Sequence, residues 1–175
     1  RGEAHRVDIT DTFVATIDPP DAKDYDDAIS ITRLNKSEHG YDGWEVGVHI
    51  ADVAHYIPSG SPLDEEAFER GNSCYLPRLV IPMLPEILSN GICSLQEGVP
   101  RFAKTAWMRY DQQGKIRSEG VQQTLIKSNK RTTYLEAQAL IDGDLEEAKK
   151  HAKTEPNYSD ELVAVMREMN GCARA

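Results

Sequence analysis

The sequence predicts an α+β domain in which a mixed or antiparallel sheet is accompanied by helices. Three observations point there. Two short segments, 28–34 and 44–51, alternate in polarity on either side of a polar loop. Two longer strand-like runs, 101–111 and 116–128, are joined at Gln112-Gln-Gly114. The helix signatures are concentrated after residue 132, and strands first with helices later is the α+β pattern.

Thr12 to Ile17 reads as a short strand that feeds an acidic loop. From Ala28 to Leu34 the chain alternates, with Ile29 and Ile31 on one face and Ser30 and Thr32 on the other. Asn35 to Gly43 is polar, contains two glycines and is expected to be a loop. Trp44, Val46, Val48 and Ile50 then share one face of a strand, and Glu45, Gly47 and His49 the other, so the two segments should pair antiparallel. Ser61-Pro-Leu-Asp64 opens a helix, with Ser61 as cap and Pro62 at the first helical position, and Gly71 suits its end. Residues 72–100 are rich in Pro, Gly and Asn and are expected to be ordered but irregular. Thr133-Tyr-Leu-Glu136 is a capping box. Farther on, Leu162, Val165, Met166, Met169 and Ala173 fall on one helical face behind a Ser159 cap.

Composition sets bounds on function. Hydrophobic residues make up 39% and charged residues 28% of 175, which is globular and not disordered. No apolar run approaches the length needed to span a bilayer, so no membrane partner is expected. The formal net charge of −9 argues against bulk electrostatic binding of nucleic acid, which needs Lys and Arg, but leaves room for a local channel. Cys74, Cys93 and Cys172 are far apart and form no Cys-x-x-Cys, so free thiols in a reducing cytosol are expected rather than a zinc site.

The chemistry concentrates in Asp18-Pro-Pro-Asp-Ala-Lys-Asp-Tyr-Asp-Asp27, five carboxylates within ten positions. Bringing two of them to ~4 Å costs about 4 kcal/mol at an effective dielectric of 20. A hard cation with oxygen ligands offsets that cost. An EF-hand does not fit: a loop begun at Asp24 puts Ala28 at its fifth position and Asn35 at its twelfth, and one begun at Asp18 puts Pro20 at its third. Magnesium or manganese, held by a few carboxylates with open positions, fits better. From the residues alone, a metal site and an ordinary solvated acidic turn both stand.

The order Thr16-Ile-Asp-Pro-Pro-Asp-Ala-Lys-Asp-Tyr-Asp-Asp-Ala-Ile-Ser30 resembles the signature of the ribonuclease II/ribonuclease R family. Further blocks resemble that family in order and spacing: Trp44-Glu-Val-Gly-Val-His-Ile-Ala-Asp-Val53, Gly60-Ser-Pro-Leu-Asp64 and Arg70-Gly-Asn-Ser-Cys-Tyr-Leu-Pro77. Val80-Ile-Pro-Met-Leu-Pro-Glu86, Leu88-Ser-Asn-Gly-Ile-Cys-Ser-Leu95 and Tyr134-Leu-Glu-Ala-Gln138 complete the set, with the ribonuclease R branch the best fit.

The resemblance implies a magnesium-dependent exoribonuclease, with manganese as a substitute ion. It would hydrolyse single-stranded RNA from the 3′ end to nucleoside 5′-monophosphates by a two-metal-ion mechanism. The family's four acidic positions, spaced six, two and one apart, map onto Asp18, Asp24, Asp26 and Asp27, all as metal ligands, with Asp26 the residue whose loss stops chemistry. Asp21 falls outside the set and is read as a supporting or loop-capping residue. Tyr75 matches a tyrosine that packs on the nucleotides near the scissile end, and Asn90 is a substrate-contact candidate in a turn. The resemblance further implies that residues 1–175 are the N-terminal half of an RNB catalytic domain, with the flanking cold-shock and S1 OB-type domains outside it. It also implies a cytoplasmic, monomeric enzyme that works with RNA-decay machinery. Alternatives are an RNA-binding relative that has lost activity and a structural metal-binding domain. His49, Asp52 and His55 can be drawn as a transition-metal set, which the family does not use. Lys127, Lys130 and Arg131 form a basic group read as a solvated face or an RNA-backbone contact. Arg78 departs from the family pattern in a stretch expected to be a surface loop.

Overall fold

The computed structural model describes residues 5–77 and 79–175. Its centre is a mixed sheet of seven strands in the order β1-β8-β7-β4-β3-β2-β9. These strands are β1 (Val7–Asp8), β2 (Ala15–Asp18), β3 (Asp27–Leu34), β4 (Gly43–Ala51), β7 (Pro100–Asp111), β8 (Ile116–Lys127) and β9 (Lys130–Thr133). β3 and β4 pair antiparallel from Asp27↔Ile50 to Leu34↔Gly43, as their alternation predicts. β4 continues onto β7, and β7 onto β8 through the turn at 112–114, where Gly114 adopts φ +71. The parallel pairs β1–β8 and β2–β9 make the sheet mixed.

The α+β class holds, and the helix signals are met atom by atom. Ser61 accepts from the Asp64 amide at the start of α3 (Pro62–Arg70), after the single turns α1 (Lys36–His39) and α2 (Val53–Tyr56), and Gly71 ends α3 at φ +72. The Asp64 carboxylate reaches back to the Gly60 amide, one residue before the cap. Thr133 and Glu136 close the capping box of α4 (Tyr134–Asp142). α5 (Leu145–His151) follows, and Ser159 caps α6 (Asp160–Ala173), which buries Leu162, Val165 and Met166. Ala173, expected on that face, is exposed in the last turn of the helix.

The sheet is covered on both sides. Val14, just before β2, and Ala15, its first residue, point in alternation to two cores. Val14 joins Ala28, Ala51, Cys93, Leu95, Ala103 and Ile126. Ala15 joins Ala137, Leu140, Ala148, Leu162 and Met166 under α4–α6.

Three expectations need correction. The loop 35–43 holds the one-turn helix α1, capped by Asn35 and ended by Gly40 in the left-handed region. The irregular segment contains a separate hairpin, β5 (Cys74–Leu76) with β6 (Leu79–Ile81), and a π-helical turn at Ile87–Ile92. On β4, the side that reads as polar is the closed one at the strand's end: His49 is fully buried, whereas Ile50 is 46% exposed. Hydrogen bonds make that burial tolerable. His49 Nδ1 meets Thr105 Oγ1 at 2.8 Å, its Nε2 meets Ser30 Oγ at 2.9 Å, and Thr105 meets Thr124 at 2.7 Å. Burial holds the imidazole neutral and pushes its pKa down to about 4.

Candidate active site

β2 and β3 are neighbouring antiparallel strands, so the end of one and the start of the other lie at the same side of the sheet. Asp18 ends β2, Asp27 begins β3, and residues 19–26 form the link between them. The acidic residues are thus gathered by a single strand connection. The link is tied down along its length. The Ala22 amide donates to the Pro19 carbonyl at 3.1 Å, and the Tyr25 hydroxyl donates to the Ala22 carbonyl at 3.1 Å. The Tyr25 amide donates to Ser94 Oγ at 3.1 Å, and the amides of Leu95 and Ala51 donate to the carbonyls of Tyr25 and Asp26.

A cleft of about 460 Å³ opens over this link. Asp18, Asp21, Asp24, Asp26 and Asp27 line it, and Tyr75, Glu86, Ser89 and Asn90 belong to the same lining. Tyr75 stands on β5 opposite Val80 and is 70% exposed. Its hairpin is anchored by the Met83 amide donating to Ser73 Oγ and by Arg70 Nη1 donating to the Pro82 carbonyl. Asn90 sits in the π-helical turn, a geometry that often marks functional positions. There Gln96 Nε2 donates to the Asn90 carbonyl, and Arg101 Nη2 to that of Gly91.

The electrostatics are those of crowded like charges. Asp18 is only 8% exposed. Burial first pushes its carboxyl above the usual range and the charges of Asp27 and Asp24 add to that, with the neighbouring Thr16 hydroxyl and Arg131 opposing. Asp26 meets solvent on one side but is crowded by protein on the others. That crowding, ahead of the Asp24 and Asp27 charges, raises its carboxyl too. Among the described residues, no three His, Cys, Asp or Glu side chains already converge on a single point as metal ligands do. The donor set nevertheless fits a hard cation. It is all oxygen and all anionic, and Asp18 Oδ2 is a buried acceptor without a hydrogen-bond partner, as is its strand neighbour Thr16 Oγ1.

Residues 6–175 match the RNB domain family. The chain belongs to that family. Ribonuclease R 1 of Lactococcus lactis is 45% identical over 148 residues, which is 85% of this chain and 18% of that protein. Ribonuclease R of Thermotoga maritima is 50% identical over 129 residues, 74% of this chain and 18% of that protein. A solved structure of Mycoplasma genitalium RNase R in complex with ribose methylated single-stranded RNA superposes with a TM-score of 0.84 at 31% identity. The match covers 98% of this chain and 24% of that one. This RNB chain therefore spans about a fifth of the length of the curated relatives it matches.

Within this RNB chain the six site residues expected from sequence, Asp18, Asp24, Asp26, Asp27, Tyr75 and Asn90, line one cleft. Asp21 lines it as well, is exposed, and makes no loop-capping side-chain bond among the described residues. His49, Asp52 and His55 do not form a ligand set. His49 is held by hydroxyls, Asp52 is ion-paired with Arg6 at 2.5 Å, and His55 packs edge-on against Phe102. Of the basic group, Lys127 is half-exposed, while the other two are engaged with the protein. Lys130 is buried and bonded to Glu97, Thr154 and the Glu155 carbonyl, while Arg131 reaches the acidic link. Glu86 and Ser94 are site features that sequence patterns alone do not single out, and Arg131, read from the sequence as part of a solvated or RNA-contacting basic group, reaches the acidic link. Only the pairing of β9 beside β2 makes that contact visible. Arg78 lies outside the described residues.

Proposed function

We propose that this RNB chain supplies the acidic wall of the active site in a hydrolytic 3′-to-5′ exoribonuclease that degrades single-stranded RNA to nucleoside 5′-monophosphates. The observation that carries the reading is the placement of Asp18, Asp24, Asp26 and Asp27 in one cleft whose lining also includes an exposed tyrosine. Its support from relatives is their names: the Lactococcus and Thermotoga proteins are both ribonucleases R.

Asp18, Asp24, Asp26 and Asp27 would hold two magnesium ions, with manganese able to replace them. Bound divalent ions supply charge neutralisation at the phosphate and a more acidic water. Asp26, open on its solvent side, orients the attacking water and takes its proton. Asp18 anchors the set from its buried position at the end of β2. The Tyr75 ring offers a flat face to a terminal base, which suits an enzyme indifferent to sequence because every base can stack. Asn90 presents its amide to the substrate backbone. The intact protein is read as cytoplasmic and monomeric and as a participant in RNA decay. No described helix is long and apolar enough to cross a membrane.

The test is an Asp26→Asn substitution in the intact protein, assayed on 3′-labelled single-stranded RNA with magnesium. The expected outcome is loss of monophosphate release with RNA binding retained. Undiminished release would sink the assignment.

A further inference from the structure

The geometry points to Arg131 as a positioning residue that holds the acidic link in shape for metal. The inference rests on the metal reading of the four carboxylates and deepens it. Arg131 pairs with Thr16 in the parallel β2–β9 register, and Thr133 with Asp18. Thr16, Asp18 and Arg131 alternate onto one face of the two strands. From there the guanidinium reaches over the link. Its Nη2 donates to the carbonyls of Ala22 at 3.3 Å and Pro20 at 3.5 Å, and its carbon lies 4.7 Å from the Tyr25 ring centroid.

These contacts fall at informative places. Pro20 and Ala22 lie between the first and second metal-candidate aspartates, and Tyr25 lies between the second and third. One side chain therefore braces both spans. It also places a permanent positive charge beside Asp18, where it opposes the mutual repulsion of Asp18, Asp24 and Asp27. Among the described residues, three of the four buried polar atoms without a partner are Thr16 Oγ1, Asp18 Oδ2 and Arg131 Nε. Polar atoms thus crowd where the link meets β9, and the Thr16 hydroxyl stands near enough to favour the Asp18 carboxylate.

The base of Arg131 is itself fixed. Its backbone amide donates to Glu97 Oε2 at 2.9 Å, and the same carboxylate receives Thr154 Oγ1 at 2.9 Å and Lys130 Nζ at 3.4 Å. A flat guanidinium that serves two carbonyls from one nitrogen while lying over a ring is a role lysine fills less well. Arg131 faces the protein's own backbone and not the open cleft, so it acts on metal and only through metal on chemistry.

The experiment uses the intact protein with Arg131→Lys and Arg131→Gln. It measures Mn²⁺ binding by calorimetry without RNA, kcat and KM on single-stranded RNA, and the metal-free melting point. Both variants should bind Mn²⁺ about tenfold more weakly, the usual effect of removing a residue that supports metal ligands. kcat should fall at limiting metal while KM for RNA stays unchanged. Tyr25→Leu removes the stacking platform and should shift Mn²⁺ binding in the same direction, which keeps the idea testable if the Arg131 variants do not fold. Wild-type Mn²⁺ binding in Arg131→Lys would overturn the role of the guanidinium. A raised KM with unchanged Mn²⁺ binding would overturn it in favour of an RNA contact. A wild-type protein that cleaves RNA without divalent ions would overturn the metal reading itself, and Arg131's role with it.

Discussion

His49 Nε2 stands 2.9 Å from Ser30 Oγ, across the paired strands β4 and β3 and in an interior closed to water. The ring is neutral there, with its pKa pushed down to about 4 from an ordinary 6.5. The unfolded chain therefore takes up a proton near pH 6.5, and the folded chain only near pH 4. Stability from this residue is fully present above pH 6.5 and is lost as pH falls towards 4. Urea unfolding between pH 7 and 4 should show a loss on the order of 3 kcal/mol from this group, and His49→Gln should flatten that part of the profile.

Gly47 lies two residues before His49 on the same closed face. A Cβ there would meet Ser30 Oγ at 2.5 Å and the Trp107 ring at 2.8 Å. Gly47→Ala should cost about 1–3 kcal/mol by overpacking, read from the urea midpoint. It should also disturb the His49 ring, whose Cε1 stands 3.0 Å from the same Cβ position.

The capping box of α4 gives a third stability prediction. Thr133 Oγ1 accepts from the Glu136 amide at 3.3 Å and donates to the His151 carbonyl at 3.1 Å. Thr133→Ala should destabilise by about 1–2 kcal/mol, measured by chemical denaturation. Because Thr133 pairs with Asp18, metal binding should weaken in parallel.

Tyr75 is 70% exposed on its hairpin, so its removal disturbs no core. Tyr75→Ala should leave the melting point unchanged and weaken single-stranded RNA binding by about 1–3 kcal/mol, the worth of one stacked base. A thermal melt and filter binding, both with the intact protein, check the two halves of the expectation.

Asp18 pits function against stability. Its carboxylate is buried among like charges, with one oxygen unpaired. Asp18→Asn should raise the melting point of the metal-free protein at neutral pH, because it removes a buried charge repelled by Asp24 and Asp27. Magnesium should raise the wild-type melting point and leave that of the variant almost unmoved. Calorimetric scans with and without the ion read the difference.

What the sequence reveals follows from the range of the forces involved. The β3–β4 pair, the Thr133 capping box and the Ser61 cap are local patterns, and each is where the sequence predicts it. The six cleft residues were legible through the spacing of the aspartates and the blocks that follow them. β9 was not. Lys-Arg-Thr-Thr has no apolar alternation, and it becomes a strand because β2 offers it a parallel edge. His49 was misplaced for a related reason: alternation tells which side chains share a face but not which face is covered. Arg131 was legible as a basic residue but, by both limits at once, not as a contact of the acidic link.

The parallel junction of β2 with β9 has a consequence in time. Thr132 donates to the Thr16 carbonyl across 116 positions of chain. Contacts so distant along the chain form late, because the intervening loop must first be closed. On the ribosome, all the clustered aspartates emerge long before the strand that braces them. A nascent chain thus carries the clustered carboxylates without their organised form, and the cleft is completed only after synthesis has passed Thr133.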